Sequence, residues 1–168
     1  GDPFSKLRAF KDAVDQAAPS GLDIAVMKFC YVDFGSGVDP DEVARAYVVL
    51  LHDMSARYPN TKFIAVTAPL TVIQSGPKSW IKRLLGRAPA QLQENAARDE
   101  FNARVRKEFS GAGQLFDLAR IESAGARPVD YGGRMIPSLN PAWTDDGGHL
   151  NPAGQLSVSA EFLNSLAE

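Results

Sequence analysis

Short apolar runs alternate with amphipathic helical segments along this chain, and the alternation is the strongest constraint on its fold. The run Leu22 to Phe29 is nearly continuous in apolar residues, which is typical of a buried parallel strand covered on both faces. Further strands are predicted over Lys62 to Thr67 and over Leu115 to Ile121. The pattern favours a three-layer α/β/α sandwich with a parallel, flavodoxin-like sheet. Ligands bind such sheets beyond the carboxyl ends of the strands.

Four helices with local start and stop signals surround these strands. Asp2 and Pro3 begin the first, and Asp39-Pro40-Asp41-Glu42 forms a capping box at the second. The third is predicted over about Gln91 to Ser110, and the fourth starts at Pro152. Helical spacing predicts four inward stripes: Phe4, Leu7, Phe10, Val14 and Ala17; Val43, Tyr47, Leu50 and Met54; Ala97, Phe101 and Val105; Leu156, Ala160, Leu163 and Ala167.

The composition and net charge of the chain argue against several classes of binding surface and metal site. The 168 residues suit one domain, and the net charge of -2 argues against a broad nucleic-acid or membrane surface. One cysteine excludes an internal disulfide, and two histidines leave little room for a histidine-rich metal site. No run is long enough to span a bilayer, so a soluble protein is expected, in the cytoplasm, the periplasm or outside the cell.

The richest functional signal is the stretch from Trp143 to Gly154. Asp146 lies three residues before His149, and two glycines separate them, so the carboxylate can reach one imidazole nitrogen and leave the other free. Asn151 and Pro152 then start a helix and fix the far side of the turn. A histidine oriented by a carboxylate is the general-base half of an acyl-transfer triad.

Two other stretches look irregular. Residues 72–91 are basic and broken by glycine and proline, which favours an insertion or a substrate-facing lid that carries Trp80. Residues 126–142 are rich in Gly, Pro and Arg and are predicted to be a loop.

Asp146-x-x-His149 followed by Asn151-Pro-x-Gly154 resembles the last block of the SGNH (GDSL-type) hydrolase superfamily of esterases and lipases. The run Asp23 to Met27, the pattern Asn95-x-x-Arg98-x-x-Phe101-Asn102 and Leu115 to Leu118 resemble earlier elements of that family. The resemblance implies a serine nucleophile after the first strand, oxyanion donors from a glycine and an asparagine, His149 as general base and Asp146 as its orienting partner.

The chain departs from the family pattern in two places. It contains no Gly-Asp-Ser, since Gly1-Asp2-Pro3 matches only two letters, and the nucleophile is therefore expected in a preceding segment of the same protein. Val32 stands where the family has its oxyanion asparagine. Losing one such donor costs about 3 kcal/mol of transition-state stabilisation, so another group would have to replace it.

Within the chain, Ser36 in a Gly-Ser-Gly loop and Cys30 at a strand end are the alternative nucleophiles. Tyr31, Trp80 and Trp143 are the predicted substrate-binding residues.

We therefore expect an ester hydrolase that acts on small acyl esters, including O-acetylated carbohydrate, with no metal or organic cofactor. An acyltransferase on the same scaffold, a non-catalytic binding domain that keeps the cleft, and a flavodoxin-like binding protein are the alternatives. The last is disfavoured because no glycine-rich phosphate loop joins a strand to a helix.

Overall fold

The computed structural model describes residues 1–73, 90–111 and 113–167. The helices are α1 (Pro3–Ala17), α2 (Pro40–Arg57), α3 (Ala90–Phe109), α4 (Leu118–Glu122) and α5 (Pro152–Ala167). The strands are β1 (Ile24–Met27), β2 (Lys62–Val66), β3 (Leu115–Phe116), β4 (Val129–Tyr131) and β5 (Arg134–Ile136). Short 3-10 helices cover Ala18–Ser20, Tyr31–Phe34 and Pro141–Trp143.

The main sheet is parallel, with the strand order β1-β2-β3. Ile24 pairs with Lys62 and Val26 with Ile64, so their side chains lie on the same face. The α/β class and the parallel sheet predicted from the alternation are both confirmed. The carboxyl ends of the three strands meet at one edge, which places the loops that follow them together.

Two apolar clusters cover the two faces of the sheet. On the first face, α1, α2 and α3 pack over alternate residues of β1 and β2: Ala25, Met27, Phe63 and Ala65. On the second face, α5 packs through Val158, Phe162 and Leu166 against Ile64, Val66 and Phe116. None of the helices in the described ranges is both long and apolar enough to cross a membrane.

The predicted starts of two helices are confirmed by their caps. The Asp2 side chain accepts a hydrogen bond from Ser5 N, and the Asp39 side chain accepts from the backbone of Asp41 and Glu42. Helix α3 also begins and ends within one residue of the predicted bounds.

The predicted third strand is wrong beyond its first two residues. Asp117 interrupts the apolar run, and its side chain accepts a hydrogen bond from Arg120 N and caps α4. Helix α4 therefore occupies the region expected to continue the strand. Residues 126–142 likewise contain the antiparallel hairpin β4-β5, which turns at Gly132 and Gly133, both with positive φ, where only a loop was expected.

Two predictions about burial are also wrong. β1 is covered on one face only, because Ile24 and Val26 each remain 39% exposed. The predicted inward stripe of α5 points outward, since Leu156 is 74% and Leu163 is 64% exposed. The helix packs instead through the stripe that contains Phe162. Of the predicted insertion or lid at 72–91, residues 74–89, including Trp80, lie outside the described residues.

Candidate active site

The turn from Thr144 to Leu150 is held mainly by its own hydrogen bonds. Thr144 Oγ1 accepts from Gly147 N at 2.9 Å, and the strand-like pairing of Thr144 with Leu150 closes the base of the turn. Gly147 has φ +88°, a conformation that favours glycine. On the far side, Asn151 Oδ1 accepts from Gly154 N at 3.1 Å, as an N-cap does.

Asp146 and His149 form the pair that the spacing suggested. His149 Nδ1 lies 2.6 Å from Asp146 Oδ2, while Asp146 Oδ1 accepts from the backbone N–H groups of Gly148 and His149, each at 2.8 Å. The imidazole and these two N–H groups hold the pKa of Asp146 far below its ordinary value. Among the described residues, Nε2 of His149 has no hydrogen-bond partner, and the side chain is 70% exposed. The carboxylate thus fixes the ring and leaves Nε2 available.

Tyr31 and Val72 connect this turn to the sheet. The Tyr31 ring meets the His149 ring edge-on, with centroids 5.3 Å apart. A Cβ at Gly148 would lie only 3.0 Å from Tyr31 Cζ, so glycine allows the close approach. Val72 N donates to Gly147 O at 2.8 Å. Because Tyr31 follows β1 and Val72 follows β2, the turn lies at the carboxyl edge of the sheet.

Two cavities flank the turn. The larger, of about 600 Å³, is mostly apolar and is lined by residues that include Val26, Phe116, Leu163, Glu122 and His149. The smaller, of about 410 Å³, has a more polar lining that includes Thr71, Gln91, Glu94, Thr144 and Asp146. Tyr31 and Gly148 line both cavities and therefore lie between them.

A buried polar face of α3 holds the loop that follows β2. Asn102 accepts from Ala68 N at 2.6 Å and donates to Ala68 O at 3.0 Å. Asn95 accepts from Thr71 N at 3.1 Å and donates to Thr71 O at 2.7 Å. Arg98, also fully buried, donates to Thr71 Oγ1. In the sequence these side chains were noted only as part of a pattern that resembles a family element, and their role as supports of the loop was missed.

Glu122 supports the same loop and lines the larger cavity. The side chain is 2% exposed, and its Oε2 accepts from Leu70 N at 2.7 Å. Burial raises the pKa of Glu122 to about 7, and the Leu70 N–H and the charges of Lys28 and Arg98 only partly oppose this effect. Glu122 was not predicted as a site residue, since it directly follows the strand expected over Leu115 to Ile121 and belongs to no recognised motif.

The loop after β1 is fixed by a buried carboxylate. Asp33 is fully buried, and its Oδ2 accepts from Lys6 Nζ and from Cys30 N, each at 2.7 Å. Val32, which the sequence resemblance set against an oxyanion asparagine, is 49% exposed.

The remaining predicted site residues are dispersed. Cys30 is half-buried and lines the larger cavity with His149, whereas Ser36 is exposed and lines neither cavity. Trp143 packs in the second-face cluster and against Gly154, so its assignment to substrate binding stays a prediction. Within the described residues, no three His, Cys, Asp or Glu side chains group to hold a metal ion.

The sequence matches no protein-family model, and no curated protein matches it. Solved structures do match the fold. A Streptococcus pneumoniae protein described provisionally as a platelet activating factor is 16% identical with a TM-score of 0.53, and the alignment covers 93% of this chain and 67% of that chain. A protein described as a peptidoglycan O-acetylesterase is 12% identical with a TM-score of 0.56, over 93% of this chain and 39% of that chain. At these identities the likeness concerns the fold, and the chain spans well under half the length of the second protein.

Proposed function

We propose that this domain carries the acid–base half of an ester hydrolase of the SGNH type that acts on small acyl esters, including O-acetylated carbohydrate. The observation that carries the proposal is the contact of 2.6 Å between Asp146 and His149 Nδ1, with Nε2 left open at the carboxyl edge of a parallel sheet. The proposal of ester hydrolysis is supported by the fold that this chain shares with the protein described as a peptidoglycan O-acetylesterase.

In the proposed reaction, His149 Nε2 removes the proton from a serine hydroxyl while the serine oxygen attacks the acyl carbonyl carbon. The tetrahedral intermediate collapses when Nε2 returns the proton to the departing alcohol oxygen. Nε2 then takes a proton from a water molecule as the water oxygen attacks the acyl carbon, and the second tetrahedral intermediate breaks its bond to the serine oxygen, which recovers the proton from Nε2 as the carboxylic acid leaves. Throughout, the Nδ1–H of His149 donates its hydrogen bond to Asp146, whose low pKa keeps it a carboxylate that stabilises the imidazolium. Transfer of the acyl group to another hydroxyl instead of water would make the same site an acyltransferase.

The nucleophile is proposed to come from a segment of the same protein that precedes Gly1. The internal alternatives fit less well, because Ser36 lines neither cavity beside the histidine. Cys30 does line the cavity that contains His149 and is the better internal candidate. The smaller cavity, with its hydroxyl, amide and carboxylate groups, suits a hydroxylated alcohol portion of the ester.

The experiment measures hydrolysis of para-nitrophenyl acetate by the protein together with whatever polypeptide its gene encodes ahead of Gly1. We expect His149→Ala to lower kcat/KM by about 10²-fold or more, and added imidazole to restore part of the rate. Asp146→Asn keeps an oxygen for the backbone N–H groups but loses the carboxylate, so it should also lower kcat. His52→Ala is the matched control, since the only other histidine is exposed and bound to Glu108.

Equal rates for His149→Ala and the unmodified protein would refute the proposal. An inactive protein that still binds acetylated sugars would favour the non-catalytic binding domain. If Cys30→Ala abolishes the activity, the nucleophile is inside the chain and the preceding segment is not needed for it.

A further inference from the structure

The proposed reaction needs a hydrogen-bond donor for the oxyanion, and Val32 cannot supply one from its side chain. The valine ends in two methyl groups and is 49% exposed. The negative charge that develops on the carbonyl oxygen still requires donors in place, because one such bond contributes about 10²-fold or more to the rate. A substitute donor is therefore expected close to His149.

Tyr31, the residue before Val32, places a phenol beside the imidazole. Its ring meets the His149 ring edge-on, with the centroids 5.3 Å apart, and it lines both cavities that flank the turn. Among the described residues, the Tyr31 hydroxyl has no hydrogen-bond partner. A phenolic O–H is a donor as well as an acceptor. The hydroxyl is thus free to donate to a group bound next to His149.

The position of the Tyr31 ring is fixed from two sides. The loop that carries it lies between Phe29 and Phe34, both buried in the core, and the hydrogen bonds of the buried Asp33 hold it from within. On the other side the ring packs against Gly148, where a Cβ would lie only 3.0 Å from Tyr31 Cζ. A donor that is held in place before the reaction stabilises the developing charge without reorganisation.

The spacing of the two rings suits a carbonyl group held between them. A nucleophile that gives its proton to His149 Nε2 lies within hydrogen-bond distance of that atom, and the carbonyl oxygen is attached to the same carbon that the nucleophile attacks. At a centroid separation of 5.3 Å, a phenol on the adjacent ring can reach that oxygen. As the new bond to carbon forms, the electron pair of the C=O π bond moves onto the oxygen. The hydrogen bond from Tyr31 then strengthens, and Tyr31 keeps its proton.

We propose that the Tyr31 hydroxyl is an oxyanion donor of this site, in place of the asparagine of the SGNH pattern. This role of Tyr31 rests on the proposed function, since no oxyanion forms without attack on an acyl carbonyl. It goes beyond the general prediction that Tyr31 contacts substrate, because it gives the hydroxyl a task that the ring alone cannot perform.

Tyr31→Phe removes the hydroxyl and keeps the ring contacts with His149 and Gly148. The substitution is made in the protein used for the His149→Ala assay. We expect kcat for para-nitrophenyl acetate to fall by about 10²-fold while KM changes by less than about twofold, because the bond is made only in the transition state. Tyr131→Phe, at an exposed position of β4, is the matched control and should leave kcat unchanged.

Two further measurements separate donation to the oxyanion from other tasks of the hydroxyl. para-Nitrophenolate leaves without being protonated, whereas the ethoxide of ethyl acetate needs a proton as it leaves. A lost oxyanion donor should therefore lower kcat/KM for both esters by the same factor. Thermal melting should give Tyr31→Phe the Tm of the unmodified protein, because in the described part of the fold the hydroxyl has no partner to lose.

Several results would overturn the assignment of Tyr31. An unchanged kcat in Tyr31→Phe, with His149→Ala inactive, would leave the oxyanion to other donors such as backbone N–H groups, and the proposed function would stand. A loss confined to KM would make the hydroxyl a contact of the bound substrate, and a loss confined to ethyl acetate would make it a proton donor to the leaving group. A Tm lower by about 3 °C or more would show a structural hydrogen bond instead. An unmodified protein that hydrolyses neither ester would refute the proposed function and the role of Tyr31 with it.

Discussion

Glu122→Gln provides the sharpest test of the buried carboxyl beneath the loop that follows β2. In the folded chain the pKa of Glu122 is raised to about 7, against 4.5 for the free side chain. Between these values the folded protein keeps a proton that the unfolded chain has lost, so the stability of the fold decreases as the pH rises. A difference of about 2.5 pKa units corresponds to about 3 kcal/mol in the free energy of unfolding.

Glutamine preserves an acceptor for Leu70 N but cannot ionise. We therefore expect the variant to match the unmodified chain near pH 4.5 and to be more stable by up to about 3 kcal/mol at pH 8. Urea denaturation followed by circular dichroism at pH 4.5, 6 and 8 measures the difference. Glu100→Gln, at an exposed position of α3, is the control and should show no such trend.

A difference between Glu122→Gln and the unmodified chain that is constant across this pH range would refute the reasoning. It would mean that the carboxyl ionises alike in the folded and unfolded states. The series stops at pH 4.5 because the Asp146 carboxylate, whose pKa is lowered, contributes stability that is present above its ordinary pKa and lost as the pH falls further.

Three further substitutions probe the supports of the site. Asn102→Ala leaves the N–H and C=O of Ala68 without buried partners and should cost about 3 kcal/mol in urea denaturation; an unchanged midpoint would contradict the support role. Gly154→Ala places a Cβ 2.9 Å from Trp143 O and should lower stability by about 1–3 kcal/mol, measured by thermal melting. Gly147→Ala forces alanine to φ +88°, which should lower the free energy of unfolding by about 1–2 kcal/mol, and the distorted turn should reduce the esterase activity proposed above.

Gly35→Ala is the matched control for both glycine substitutions. Gly35 has φ -73°, and nothing lies within 4 Å of the position that its Cβ would take. An alanine there should leave both the melting temperature and the activity as they are. If it destabilises as much as the other two, neither the contact with Trp143 nor the positive φ explains their effect.

Features set by neighbouring residues could be predicted from the sequence. Helix caps such as Asp39 and Asn151 depend on residues two or three positions away, and so does the Asp146–His149 contact. The Asp146–His149 contact could therefore be predicted from the sequence of the turn. The position of the turn at the carboxyl edge of the sheet could be predicted only from the expected strand order.

Features that depend on distant partners were harder to predict. Helix α5 is apolar on two sides, so spacing could not tell whether Leu163 or Phe162 faces the sheet. β3 ends at Phe116 because the side chain of Asp117 caps α4. The apolar residues around Asp117 favoured the prediction of a strand over that of a helix start. Asn102 sits on an evident helical face, but only the folded chain brings Ala68 to it across 34 residues.

The Asp146–His149 turn has one further consequence for how this site can vary. The hydrogen bonds that orient the imidazole all form between residues Thr144 and His149. Among the contacts described above, only those of Val72 and Tyr31 link the turn to the strands. The orientation of the imidazole and the distance of the turn from the strands thus depend on separate groups of atoms. Substitutions in the loops after β1 and β2 could therefore move the imidazole relative to the sheet while its orientation within the turn stays the same.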